Sequence, residues 1–111
     1  MKKSFFVLSS LAIFILTTLD ARVYKGQKEY IEKCKKCHDN GEEIVFLNDK
    51  HTWKKIMKSN GENLAKLHLE SKKAEDSWKY FKSKNYQKKS KHLKDFLVEY
   101  AKDSAKVPAL D

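Results

Sequence analysis

Apolar residues recur along this chain at helical rather than strand spacing. Gly26, Tyr30 and Cys34 stand four apart and form one stripe, which predicts a first helix over Val23–Cys37. Gly41 should break the chain, and Ile44–Leu47 reads as a short apolar loop. Asp49 is placed to cap a second helix over His51–Ser59, with Trp53, Ile56 and Met57 on its inner side and Asn60-Gly61 as its stop. Glu62–Glu70 reads as a third helix with Leu64, Leu67 and His68 turned inward. Glu75–Lys82 reads as a short aromatic helix or turn, Asn85–Ser90 as a polar loop, and Lys91–Asp103 as the last helix, with Leu93, Phe96, Leu97 and Tyr100 on its apolar face. Val107–Asp111 is a tail. One proline and three glycines agree with an all-α fold and not with a turn-rich sheet.

The N-terminal segment has a different character. Lys2 and Lys3 precede an apolar run from Phe5 to Leu19, interrupted by Ser9, Ser10, Thr17 and Thr18. Its length, about fifteen residues, is long for the core of an export signal and short for a membrane span. Residues 1–21 are therefore expected to be a signal peptide cleaved after Ala21, although Leu19 is bulky for such a site. The alternative is an uncleaved anchor that tethers the protein to the inner membrane. No cysteine lies near the cleavage point, so a lipid anchor is not expected. The expected location is periplasmic, with residues 22–111 forming one domain.

Charge narrows the partners. The chain carries 24 Lys and Arg against 15 Asp and Glu, a net +9; removing 1–21 takes away Lys2, Lys3 and Asp20 and leaves +8. Nearly all of the excess is lysine, and Arg22 is the sole arginine. Nucleic-acid readers lean on arginine for bidentate contacts, and an exported protein rarely meets nucleic acid, so that class is set aside. The lysines are either a solvated surface or a positive ring that steers acidic partners to an exposed edge.

Residues 34–38 read Cys34-Lys35-Lys36-Cys37-His38, the C-x-x-C-H pattern of covalent haem c attachment, and these are the chain's two cysteines. Positions i, i+3 and i+4 at a helix end share a face, so both thiols and the imidazole can meet one flat ligand. The thiols would form thioethers with its two vinyl groups, and His38 would stand under the iron as the proximal ligand. A thioredoxin-like redox pair would want alternating strands and helices around it. A zinc site would need two more ligands, and His51, His68 and His92 do not form a tight second cluster. A disulfide across two residues would constrain little. One covalent haem c is the preferred reading. It would also supply a centre for the thin core of so small a chain. The aromatics Tyr24, Tyr30, Phe46, Trp53, Trp78, Tyr80, Phe81, Phe96 and Tyr100 are candidates to wrap it.

The arrangement resembles the small class I monohaem c-type cytochromes. Those proteins carry a glycine, three residues, an aromatic and three residues before C-x-x-C-H, as Gly26, Tyr30 and Cys34 do here. They end in a helix bearing Leu-x-x-Tyr packed across the first, a pattern that Leu97 and Tyr100 match. Asp49, Trp53 and Gly61 are similar to the cytochrome c-five subgroup, in which a tryptophan helix packs by the haem. The resemblance implies an α-helical electron carrier with His38 as proximal ligand. It also implies a methionine before the last helix, yet residues 72–90 hold neither Met nor His. The candidates for the sixth ligand are His68 and Met57, followed by His92 and His51; lysine, Asn85, a tyrosine or no ligand remain open. Met57 also reads as a core residue, His68 as a partly buried histidine bonded to backbone, and His51 and His92 as exposed.

The expected function is a one-electron carrier between acidic redox proteins, without an acid–base or nucleophile constellation that would make it an enzyme. A haem-based ligand-binding or sensing protein with an open sixth site is one alternative. An electron-transfer subunit of a larger oxidoreductase, docked through an apolar patch at Trp78, Tyr80 and Phe81, is another.

Overall fold

The computed structural model describes Thr18 and residues 20–111. The signal segment expected over 1–21 lies outside the described residues except for Thr18, Asp20 and Ala21, which are already helical. Among the described residues every regular element is helical and none is a strand, as the spacing predicts. Helix α1 covers 20–33, followed by α2 (Gly41–Val45), α3 (Lys50–Ile56) and α4 (Lys58–Leu69). A 3-10 segment (Lys72–Ser77) leads into α5 (Trp78–Phe81) and α6 (Lys84–Glu99). No described helix is long and apolar enough to cross a membrane.

Helices α1 and α6 cross at Gly26. A Cβ there would fall on the His92 carbonyl oxygen and press on Phe96 Cβ at 2.7 Å, so a hydrogen is the largest substituent the crossing admits. The contact continues one turn on, where the Tyr30 and Phe96 rings lie 5.1 Å apart. The core is Tyr30, Val45, Trp53, Met57, Phe81, Tyr86, Leu93, Phe96, Leu97, Ala101 and Leu110.

Several elements depart from the spacing. Helix α1 ends at residue 33, and the motif expected within it forms the next, tighter turns. Gly41 opens α2 instead of breaking the chain, and Ile44 and Val45 are helical. Gly41 is buried because Tyr30, Lys35 and Leu110 close around it. Asp49 caps α3 as expected, its Oδ1 accepting from Thr52 N at 2.8 Å, but α3 starts at Lys50 and stops at Ile56. Ser59, Asn60 and Gly61 all take left-handed backbone, which breaks the path where Asn60-Gly61 predicts it. The largest departure is Asn85–Ser90, which is helix and not loop. Ser83 Oγ accepts from Tyr86 N at 3.1 Å and caps α6, and Tyr86, Ser90, Leu93 and Leu97 form a buried stripe beneath the lysines. The same helix ends at Glu99, short of Asp103.

The tail is also structural. Lys35 Nζ donates to Leu110 O at 2.6 Å, Gln27 Nε2 donates to Ala109 O, and the Leu110 side chain enters the core.

In an ordinary exposed helix, Gly→Ala stabilises by up to about 1 kcal/mol. Gly26→Ala is instead expected to cost about 2–3 kcal/mol by overpacking, read as a fall in the denaturant midpoint. Leu110→Ala is expected to cost about 2–4 kcal/mol in the same experiment. A neutral result would mean that the tail is not part of the core.

Candidate cofactor cavity

Beyond residue 33 the chain keeps helix-like hydrogen bonds for one more turn. Cys34 N donates to Tyr30 O at 2.9 Å, and Cys37 N and His38 N both reach Cys34 O, at 3.2 and 3.0 Å. This turn brings Cys34, Cys37 and His38 onto the wall of one cavity of about 390 Å³. Tyr30, Ile44, Trp53, Leu64, Phe81, Leu93 and Leu97 line its apolar part, and Lys33 and Lys73 reach it as well. The volume is in the range of small-molecule and cofactor sites.

The two thiols differ. Cys34 is partly buried and Cys37 is exposed. Burial, with added repulsion from Glu29 and Cys37, pushes the Cys34 thiol up to about 12. A redox dithiol works through a depressed thiol pKa, so Cys34 has the opposite character. Among the described residues no three His, Cys, Asp or Glu side chains gather as a metal-ion site, which leaves the zinc reading without ligands. A thioether carries no charge and loses nothing in such a pocket. For His38, burial and then the neighbouring His68 imidazole lower the pKa from the ordinary histidine value. The ring therefore stays neutral with a lone pair to offer.

His68 lines the same cavity, its ring centroid 6.1 Å from that of His38 and the planes at 88°. Its Nδ1 donates to Leu64 O at 2.8 Å. It is half-buried and bonded to backbone, as its bland reading anticipates, and it also lines the cavity. Phe81 stacks on the ring at 4.3 Å, and Trp78 Nε1 donates to the His68 carbonyl at 2.8 Å.

The other expected ligands lie elsewhere. Met57 is buried in the core beside Gly61, and His51 is exposed. His92 stands at the α1–α6 crossing, partly buried instead of exposed, with Nδ1 enclosed and without a hydrogen-bond partner. Of the aromatics expected to wrap a cofactor, Tyr30, Trp53 and Phe81 do line the cavity, while Tyr24 points to solvent. Trp78, Tyr80 and Phe81 do not form an exposed patch: Phe81 is buried and the other two are partly so. Leu67, expected inward, is largely exposed at the cavity edge. Tyr86, hidden among lysines in the sequence, is a core residue whose hydroxyl donates to Gly61 O at 2.7 Å. Its spacing from Leu93 and Leu97 was the available signal.

Two thiols and two imidazoles thus gather on the wall of one largely apolar cavity. The chain matches no protein-family model, no curated protein and no solved structure.

Proposed function

We propose that this protein is an exported monohaem c-type cytochrome that carries single electrons between redox partners, with the class I architecture its sequence resembles. The observation that carries the proposal is the convergence of Cys34, Cys37 and His38 on one largely apolar cavity. The fit to haem is chemical as well as steric. A buried, protonated thiol at Cys34 suits a neutral thioether and suits neither a nucleophile nor a metal thiolate. A neutral imidazole at His38 suits an axial nitrogen.

When bound, haem supplies a ferric–ferrous couple. The chain's own residues do the rest. Cys34 and Cys37 would fix its orientation, and His38 would supply a nitrogen to its iron. Tyr30, Trp53, Leu64, Phe81, Leu93 and Leu97 would keep water from the iron, and the resulting low dielectric would tune the potential. Cys37 lies on the exposed side, where a partner could approach the ring edge. Lys33 and Lys73 at the cavity favour acidic partners, and the net charge of +9 adds long-range attraction. The buried setting of Phe81 and its neighbours favours a free carrier over a subunit docked permanently through that segment.

Expressed with a haem-attachment pathway, the protein is expected to retain haem on a denaturing gel, and the Cys34→Ala/Cys37→Ala variant to lose it. An unstained wild-type band would end the haem reading. Electron exchange with an acidic redox protein is expected to slow as ionic strength rises, and Lys33→Glu/Lys73→Glu to flatten that dependence. A rate indifferent to salt would remove the steering role.

A further inference from the structure

We infer that His68 is the second axial ligand, facing His38, so that two imidazoles close the iron and the protein is a low-potential carrier without an open binding position. This assignment rests on the haem reading of the cavity and names the ligand which that reading leaves open.

The first support is distance. Two metal–nitrogen bonds of about 2.0 Å, in line with about 1.1 Å from each ring nitrogen to its centroid, span about 6.2 Å. The His38 and His68 centroids are 6.1 Å apart. The second support is the tautomer. A carbonyl oxygen can only accept, so the 2.8 Å contact to Leu64 O puts the proton of His68 on Nδ1. Nε2 then carries the lone pair, and the outer hydrogen bond is of the kind that orients metal-bound histidines. The third support is restraint. Phe81 stacks on the ring, and Trp78 holds the carbonyl of the same residue, so both ends of His68 are fixed from the following segment. Met57, the other principal candidate, does not line the cavity.

A second imidazole lowers the haem potential relative to methionine, because nitrogen donation favours the ferric state. The angle of 88° between the rings adds a specific signature. Perpendicular imidazole planes leave the two iron orbitals that receive their π donation nearly equal in energy. Orbital momentum then survives and spreads the ferric g values widely.

The test uses the full holoprotein, with haem staining run beside low-temperature electron-spin resonance, absorption spectra and carbon monoxide titration. The wild type is expected to be low-spin in both oxidation states. Its ferric resonance should be strongly anisotropic, it should lack a thioether–iron charge-transfer band, and the ferrous form should resist carbon monoxide. His68→Ala should keep covalent haem, become high-spin and bind carbon monoxide readily, with added imidazole restoring the low-spin spectrum. His68→Met should shift the midpoint potential upward. A wild-type spectrum that is high-spin or shows the thioether–iron band overturns the assignment while the stained haem stands. So does a His68→Ala variant that keeps the wild-type low-spin spectrum, since Lys33 or Lys73 could then be the donor. The wild-type spectra decide even if a variant fails to fold, and absence of stain in the wild type would end the underlying haem reading as well.

Discussion

The close approach of two helices at Gly26 is the constraint from which the rest of the structure follows. With no Cβ at that point, the backbone of α1 rests on the His92 carbonyl of α6, nearer than any side chain would permit. One turn later Tyr30 packs against Phe96, and another turn brings Cys34 to the cavity. Leu93 and Leu97, from the same stretch of α6, line that cavity. The stripe Gly26–Tyr30–Cys34 is therefore a ruler. Its first residue sets the helix separation, its second fills the space between, and its third delivers a thiol to the site.

A chain this small buries a thin core around short helices. It compensates with aromatic side chains whose polar tips grip backbone carbonyls in other segments. Tyr30 donates to Gly41 O at 2.5 Å, Trp53 to Val45 O at 2.8 Å, Tyr86 to Gly61 O at 2.7 Å and Trp78 to His68 O at 2.8 Å. Each bond ties an aromatic side chain to the backbone of another segment. The gripped carbonyls also share a pattern. Gly41 opens α2, Val45 closes it, Gly61 ends the left-handed break in α4, and His68 stands near the end of α4. The aromatics thus fasten the starts, ends and breaks of the short helices.

Much of this frame was legible in the sequence, and what was hidden has physical causes. The crossing stripe, the Asp49 cap, the Asn60-Gly61 break and the inward Leu64 and His68 follow from spacing and from residue chemistry with a local cause. Asn85–Ser90 was obscured because its four exposed polar residues, Asn85, Gln87, Lys88 and Lys89, outnumber the two buried positions, Tyr86 and Ser90, and because Ser is a weak marker of burial. Gly41 was misleading because a glycine can serve close packing as readily as a chain break, and only tertiary contact with Tyr30, Lys35 and Leu110 tells which. In the site, the pattern from Cys34 to His38 is local and could be read directly. The second imidazole of the cavity could be named only as one candidate among several, since its position depends on how α4, α5 and α1 meet in space.

That meeting bears on how a carrier of this size could work. Electron transfer is fastest when the two oxidation states share one geometry, which requires ligands held by the protein and not by the metal alone. As a ligand, His68 would satisfy this before any cofactor binds. Its proton is committed to Leu64, its face to Phe81 and its backbone to Trp78, all through groups that do not change with the charge on an iron. His38 is held differently, by the motif turn that follows α1 and hence by the Gly26 crossing. The two imidazoles thus hang from two units, one formed by α1 and its motif turn and the other by α4 and the segment after it, and α6 packs against both. A haem seated between them would join those units across the cavity. Loosening the crossing at Gly26 would then reach a bound haem through His38 and, by way of α6 and Tyr86, through the His68 side as well.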